Sequence, residues 1–237
     1  SRSHYSDTSW TWGHSWAVAI LPYAEQGNLY DQLDMVGVNS PHTGLIYQNS
    51  ASTYNTDNGS LVNGLTVAYM WCPSSPLDKY ALKGTMVPGS PGAPSLTYTA
   101  ITGAIDHQSA EDKDSQTNQH RARGIASSGG ILVANDFLSF QAIRDGASNT
   151  ILLGEHSGWF VVTHGPRRNC RSDFNLYFLL GATPPNNEDD RWFNTTTVRY
   201  PINHKAWNST GVGDEYYGCN QPIQSAHPGG AHVVLGD

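Results

Sequence analysis

The ten histidines are the first candidates for chemistry, because imidazole serves both as a metal ligand and as a general base. Zinc peptidases place two histidines one helical turn apart in an HExxH string, and that string does not occur here. His227 and His232 lie five residues apart and flank Pro228-Gly229-Gly230, so we do not expect them to share a helix face. We interpret most of the histidines as solvated or hydrogen-bonded side chains.

Nucleophilic chemistry finds little support among the serines. The nucleophile elbow GxSxG is absent, and the nearest strings, at 89–92 and 127–130, lack its strand–turn–helix frame. A Ser/His/Asp triad stays open, because its members meet in space and not in sequence. The carboxylate runs at 188–190 and 214–215 show none of the facing geometry that glycoside hydrolysis requires. We therefore predict no catalytic residues and no enzymatic activity.

A structural calcium ion is the metal for which the acidic loops offer a candidate site. Calcium takes six to eight oxygen ligands, several of them neutral carbonyls from loops. One polar insertion carries four carboxylates that could contribute, although the EF-hand pattern is absent and an ordinary solvated surface is the alternative. These residues are Asp106, Glu111, Asp112 and Asp114.

The string DGASNTILLGE at 145–155 has the most regular pattern in the sequence, with turn residues followed by an apolar run. Asp, Ser and Asn side chains can cap the backbone of a tight turn in which Gly takes the left-handed position, and the apolar run that follows predicts a core strand. We interpret the string as architectural, with Asp145 and Glu155 as metal or substrate ligands being the alternative. The architectural residues are Asp145, Gly146, Ser148, Asn149, Thr150 and Glu155.

The three cysteines form no CxxC pair and no zinc-site spacing. Two of three are expected to pair in an exported protein. Cys170 and Cys219 both have polar, loop-like neighbours in the second half of the chain, so we predict a disulfide between them. Cys72 is then left over and calls for a partner outside this chain.

The elements that must position these residues are short. Only 14% of the residues are charged, while Gly (24) and Pro (13) are abundant, which is typical of a loop-rich protein. Apolar spacing predicts two short helical segments, at 15–21 and 24–33. Short strand candidates are separated by long loops, and βαβ units are missing. We predict an α+β fold with a small antiparallel sheet, short N-terminal helices and large irregular loops.

Charge and hydropathy restrict the partners. The net charge is −7 and the basic residues form no stripe, so nucleic-acid binding is disfavoured. The sequence has no apolar run near the length of a membrane span. It starts without Met and ends directly after a strand-like run, so we expect both ends to be cut.

Four strings in this order resemble the pseudopilin-like proteins that are abundant in planctomycetes and catalogued as domain of unknown function 1559. The resemblance reaches from residue 21 to the end of the chain. His227 is followed by nine residues and then Asp237, which resembles the C-terminal signature of histidine, nine residues, Asp-Gly. The strings are LPYAEQGNLY at 21–30, CPS at 72–74, IRDGASNTILLGE at 143–155 and HPGGA at 227–231. The C-terminal signature adds four residues to the architectural set: His227, Gly229, Gly230 and Asp237.

The resemblance implies a single extracellular head domain over 1–237 whose N-terminal, prepilin-like membrane and filament helix is missing. It implies a non-catalytic subunit that self-associates into a pilus- or pseudopilus-like filament or envelope assembly. A cysteine in that helix could be the partner of Cys72. The chain departs from the family pattern in two places. The glycine that normally follows the final aspartate is absent after Asp237. Ser75 stands where related proteins often have an aspartate, which weakens a ligand role at that position.

A carbohydrate- or solute-binding envelope protein is the alternative function. An older label for the family is solute binding, and the aromatic start of the chain could stack on sugars. The same tryptophans could instead cover the missing helix, because amphipathic aromatics are common in cores and interfaces. The residues concerned are Trp10, Trp12 and Trp16.

Overall fold

The structure is a computed structural model. It describes residues 14–33, 35, 57–81, 91–112, 124–133, 136–171, 179, 181, 193–207, 209–212 and 218–237. Within those ranges, no helix has both the length and the apolar character needed to cross a bilayer.

The N-terminal part is built from short helical turns, as the apolar spacing predicts. Helix α1 spans Trp16–Ala19, a 3₁₀ turn spans Leu21–Tyr23, and helix α2 spans Gly27–Tyr30. Ser15 caps α1 by accepting a hydrogen bond from the backbone N–H of Ala17 through its hydroxyl, which satisfies a donor that the helix leaves open. Helix α3 spans Asp57–Val62.

Ten short strands account for the β structure of the described residues. They are β1 Tyr80–Ala81, β2 Ala93–Pro94, β3 Tyr98–Ala104, β4 Glu111–Asp112, β5 Ile125–Ala126, β6 Ile151–Glu155, β7 Trp159–Phe160, β8 Arg168–Asn169, β9 Thr195–Val198 and β10 Val233–Leu235. Further 3₁₀ turns lie at Ala68–Met70, Phe140–Ala142 and Ala147–Asn149.

The main sheet has four strands in the order β10-β6-β3-β9. Strand β6 pairs antiparallel with β10 on one side and β3 on the other, whereas β3 and β9 run parallel. The other pairs are β1–β2, β4–β5 and β7–β8, all antiparallel. The α+β class with a small sheet and irregular loops is thus confirmed. The parallel pair adds a long crossover to the antiparallel arrangement that we predicted.

The largest core cluster joins the helical turns to the start of the sheet. Its fully buried members include Val18, Leu21 and Phe193. A second cluster surrounds Phe160 and Cys170, with tryptophans at its margin. Between β3 and the edge strand β9 the packing is polar, since the Thr102 hydroxyl donates to the Thr196 carbonyl over 3.1 Å and contacts the Thr197 hydroxyl at 2.9 Å.

Candidate functional site

Glu155 is the anchor of the candidate site. It is the last residue of β6 and its side chain is 0% exposed. Its Oε1 accepts a hydrogen bond from the Ser157 hydroxyl at 2.5 Å, and its Oε2 accepts one from the backbone N–H of His232 at 2.9 Å. A buried carboxylate is costly unless it is paired and hydrogen-bonded, so these contacts hold it in a fixed orientation.

Glycine precedes Glu155 for a steric reason. A Cβ at Gly154 would lie 2.7 Å from the Ile223 side chain, which is closer than real Cβ contacts come. Because Gly154 lacks a side chain, the segment around Ile223 packs directly against β6. The next contact along that segment joins the Gln224 N–H to the Glu155 carbonyl over 2.9 Å, so the C-terminal chain is held beside the buried carboxylate.

Cys72 is positioned by the entry to β3. Its backbone N–H donates to the Thr97 hydroxyl over 2.6 Å, and the Thr97 N–H donates to the Met70 carbonyl over 3.1 Å. The Cys72 residue is only 2% exposed. The thiol therefore occupies a defined place beside the central strands.

His227 comes from a turn in the C-terminal segment. The Ser225 hydroxyl accepts a hydrogen bond from the His227 N–H at 3.0 Å and donates to the Gly230 carbonyl at 2.5 Å. Gly229 has a φ of +92°, a value that side chains disfavour. This turn reverses the chain, so that His232 enters the ladder opposite Glu155.

These three residues form one cluster, here called the Cys–Glu–His group. The Cys72 Sγ and the Glu155 Oε1 each lie 3.4 Å from the His227 Nε2, and one ligand atom from each of the three residues falls within 4.8 Å of the others. The Ser74 hydroxyl lies 3.2 Å from the same nitrogen. On the solvent side, the His232 Nδ1 lies 3.4 Å from the Glu155 Oε2.

The geometry separates two kinds of chemistry. In a nucleophilic relay the nucleophile and the orienting carboxylate contact different nitrogens of the imidazole. Here the thiol and the carboxylate both lie at Nε2, so the imidazole cannot pass a proton between them in that way. Sulfur, nitrogen and oxygen donors that face one point are instead the ligands of a transition metal.

The pKa of Tyr98 reflects the charges in the Cys–Glu–His group. It lies opposite Glu155 in the β3–β6 register. Burial raises the pKa of Tyr98, and the negative charges that Cys72 and Glu155 can carry raise it further. The phenol therefore stays protonated beside the cluster at neutral pH.

The architectural interpretation of the string at 145–155 fits the turn before β6. Gly146 has a φ of +84° and precedes the 3₁₀ turn. The Asn149 side chain donates to the Asp145 carbonyl over 2.9 Å, and the Thr150 hydroxyl donates to the Gly146 carbonyl over 3.1 Å. Asp145 and Ser148 are exposed at this turn, whereas Glu155 is buried at the far end of β6, so the two carboxylates of the ligand alternative do not meet.

The C-terminal signature runs antiparallel to β6. Strand β10 pairs with β6, and the Glu155 N–H donates to the His232 carbonyl over 2.8 Å. At the other end, the Gly236 N–H donates to the Ala147 carbonyl over 3.0 Å. The spacing between His227 and Asp237 therefore spans the length of β6, with His227 at the cluster and the exposed Asp237 near the turn.

The three calcium candidates that the structure describes form no group with metal-ligand geometry. Glu111 and Asp112 are exposed neighbours on β4 and Asp106 is exposed in the preceding turn, while Asp114 lies outside the described residues. Adjacent side chains on a strand point to opposite faces, so Glu111 and Asp112 cannot share one ion. Among the described residues, the three-residue group with metal-ligand geometry is the Cys–Glu–His group.

The predicted disulfide between Cys170 and Cys219 is wrong. Both residues carry thiols and both are fully buried in different clusters, Cys170 with Phe160 and Cys219 with Ala126. Their polar sequence neighbours misled the prediction, because the two side chains themselves point into apolar packing. Cys72 also carries a thiol. Its disulfide to a residue outside this chain stays a prediction that applies only when that residue is present.

We expect the chain to yield three thiols when it is denatured without reductant and titrated. Burial raises the pKa of the Cys170 thiol to about 12, and the thiolate is the reactive form. In the folded protein Cys170 should therefore resist alkylation at pH 8 while added glutathione reacts. Mass spectrometry of the alkylated peptides measures both results, and a linked Cys170–Cys219 peptide would contradict them.

The aromatic residues considered for sugar stacking are only partly described. Trp10 and Trp12 lie outside the described residues. Trp16 packs against the helical core cluster, and its indole Nε1 donates to the Asn194 carbonyl over 3.0 Å. The one described tryptophan of the three is therefore engaged in packing.

Sequence reasoning missed the Cys–Glu–His group as a unit. Each member is a candidate in the sequence. However, helical spacing does not relate the histidines, and Glu155 lies in a turn-and-strand motif that has an architectural interpretation. A usable signal was present: Cys72, Glu155 and His227 each lie in one of the four strings that carry the family resemblance. Residues in separate ordered strings are candidates for a shared site.

Comparison with known proteins identifies the family. A family model described as a protein of unknown function (DUF1559) matches residues 1–237. The chain belongs to this family. Neither a curated protein nor a solved structure gives a significant match.

Proposed function

We propose that this chain is a non-catalytic structural subunit of an extracellular pilus- or pseudopilus-like filament or envelope assembly. We further propose that its copies associate through the exposed segment at 136–144. The observation that carries the proposal is the exposure of large apolar side chains there: Phe137 is 79% and Phe140 is 73% exposed. Such contiguous apolar surface commonly marks an interaction site.

The charges at the two ends of the segment favour a second copy as the partner. Asp136 and Arg144 are both exposed and bracket the aromatic residues. In a two-fold contact, one surface patch meets the same patch on the other subunit. Two copies that pair in opposite directions would place Asp136 of each opposite Arg144 of the other, with the phenylalanines between them. Such a contact closes a pair of subunits, and growth of a filament from these pairs then requires a second, head-to-tail contact.

The arrangement of the Cys–Glu–His group supports the non-catalytic part of the proposal. A nucleophilic cysteine needs a base that its orienting carboxylate holds through the other ring nitrogen. Cys72 and Glu155 share the Nε2 of His227. The group is better suited to fixing structure than to acyl transfer.

Charge reversal tests the self-association. We expect Asp136→Lys and Arg144→Asp each to weaken association of the purified protein, as measured by sedimentation velocity over a concentration series. The double variant should recover it, and a mixture of the two single variants should associate better than either alone. Phe137→Ser with Phe140→Ser should abolish it, whereas Tyr23→Ser, which removes an equally exposed aromatic elsewhere, should have no effect.

The proposal fails if the wild type stays monomeric at the highest concentration reached. It also fails if the charge-reversed variants associate as the wild type does. Electron microscopy of the native cell surface tests the larger claim, since regular filaments labelled by an antibody to this chain are expected. Monomeric heads with saturable glycan binding would favour the carbohydrate- or solute-binding alternative.

A further inference from the structure

We propose that Cys72, Glu155 and His227 bind a thiophilic divalent cation, with zinc as the best fit. The three residues come from three segments: the turn before β3, the end of β6 and the C-terminal turn. The inference does not rest on the assembly proposed above. A binding site of this kind also differs in residues and chemistry from the calcium loop that the sequence suggested.

The interatomic distances fit tetrahedral zinc. With bonds of about 2.0–2.1 Å to nitrogen and oxygen and about 2.3 Å to sulfur, tetrahedral ligand atoms lie about 3.3 Å apart for N···O and about 3.5 Å apart for N···S. The structure has 3.4 Å between the His227 Nε2 and the Glu155 Oε1, and 3.4 Å between that nitrogen and the Cys72 Sγ. The Cys72 Sγ and the Glu155 Oε1 fall within 4.8 Å of each other, so one ion can contact all three atoms once these two side chains have adjusted to it.

Charge balance supports the same occupant. The Glu155 carboxylate is fully buried, and its ion-pair contacts with other described residues are with the imidazoles of His227 and His232, which are cationic only when protonated. A divalent cation neutralises one carboxylate and one thiolate completely while the imidazole stays neutral. Burial of the charged pair then costs far less than burial of an isolated carboxylate.

Ligand softness selects the metal. Thiolate and imidazole favour zinc and its neighbours, whereas magnesium and calcium prefer sets made entirely of oxygen donors. The groups around the ligands are also arranged as metal sites require, because the Ser157 hydroxyl and the His232 N–H orient the Glu155 carboxylate. Such outer hydrogen bonds fix a ligand's direction and tune its affinity.

His232 is the candidate for the fourth ligand. Its Nδ1 lies 3.4 Å from the Glu155 Oε2, its side chain is 69% exposed and its ring centroid lies 5.1 Å from that of His227. We assign the fourth position to the His232 imidazole, because four protein ligands are typical of structural zinc, whereas water at an open position is typical of catalytic zinc. The ion would tie the C-terminal turn to the sheet and to the segment before β3.

The binding test uses the folded wild-type chain and zinc alone. We expect one zinc per chain by competition against a chromophoric chelator, a rise in the thermal midpoint on adding zinc, and its reversal by EDTA. Cys72→Ser and His227→Ala should each lose affinity by roughly 100-fold or more, since loss of an outer partner already costs about 10–100-fold. Ser157→Ala should fall in that smaller range.

Two variants control for nonspecific effects. Cys219→Ala removes a buried thiol outside the group, and His164→Asn removes an exposed histidine whose left-handed backbone asparagine tolerates. Both should bind zinc as the wild type does. Equal affinity in the ligand variants and in these controls overturns the proposal.

A measurement on the wild type keeps the proposal testable if the ligand variants misfold. X-ray absorption at the zinc edge should show one sulfur at about 2.3 Å and nitrogen or oxygen neighbours at about 2.0–2.1 Å. Cobalt substitution should give a near-ultraviolet thiolate-to-metal band. A spectrum without sulfur, or no bound zinc after dialysis against a weak chelator, overturns the assignment.

Discussion

Replacing Arg171 with methionine is expected to lower the free energy of unfolding by about 3–5 kcal/mol, since each hydrogen bond from a charged group contributes about 1.5–3 kcal/mol. The buried guanidinium donates to the Asp78 carbonyl over 2.8 Å and to the Leu96 carbonyl over 3.3 Å. Its Nε donates to the Asn169 side chain over 3.1 Å. The expected loss is smaller than the sum because methionine also removes the cost of burying a charge.

Urea unfolding followed by circular dichroism measures this effect. Arg171→Lys keeps the charge but not the planar fork of donors, so it should recover only part of the loss. Arg167→Met removes an exposed arginine outside the proposed association segment and should change the unfolding free energy by less than about 0.5 kcal/mol. If Arg171→Met behaves like Arg167→Met, these hydrogen bonds do not stabilise the fold.

The position of Arg171 connects this prediction to the candidate site. Its guanidinium lies 5.5 Å from the ring of Trp71 and binds the carbonyl of Asp78, so it holds both ends of the segment that carries Cys72. Burial, reinforced by the same charge, lowers the pKa of His156 to about 3. His156 is thus a neutral, buried residue.

Local features of the fold were predictable because they depend on nearby residues. The left-handed Gly146 and the Asn149 contact to Asp145 follow from turn chemistry in a few consecutive positions. The two N-terminal helical segments follow from apolar spacing in the same way. The parallel pairing of β3 with β9 was not predictable, because it joins strands on either side of a long crossover.

The candidate site escaped prediction for a similar reason. Cys72 and His227 are 155 residues apart in sequence, and no periodic pattern relates them. Helical spacing does not relate His227 and His232, because a chain reversal at Gly229 brings the two rings together. What places His232 opposite Glu155 is the backbone ladder between β6 and β10, and side-chain patterns do not report that register.

The cysteines illustrate how a neighbourhood in sequence differs from one in space. Polar residues around Cys170 and Cys219 suggested exposed loops and hence a disulfide. In the fold the polar neighbours bind backbone groups, and the thiols are turned inward. Asn220 shows this directly, because it follows Cys219 and uses its side chain to satisfy the main chain of two strands.

Asn220→Ala is expected to lower the free energy of unfolding by about 3–5 kcal/mol, because each buried group left without a hydrogen bond costs about 1–3 kcal/mol. The Oδ1 of the buried amide accepts from the Ile125 N–H at 2.7 Å. Its Nδ2 donates to the carbonyls of Ile125 over 2.8 Å and Thr197 over 3.1 Å. One side chain thus closes the gap between β5 and β9, where no backbone ladder joins them directly.

Two further variants separate this bridge from a simple loss of volume. Asn220→Asp has nearly the same shape and keeps the acceptor, but it replaces the donor to both carbonyls with a carboxylate oxygen. It should therefore be destabilised at pH 7, although less than the alanine variant because the Arg199 guanidinium, which donates to the Oδ1 over 3.5 Å, would pair with the carboxylate. Asn28→Ala, at an exposed position in α2, should be neutral in the same urea titration. An aspartate variant as stable as the wild type at pH 7 would show that the two carbonyls do not need the amide, and that shape alone accounts for the residue.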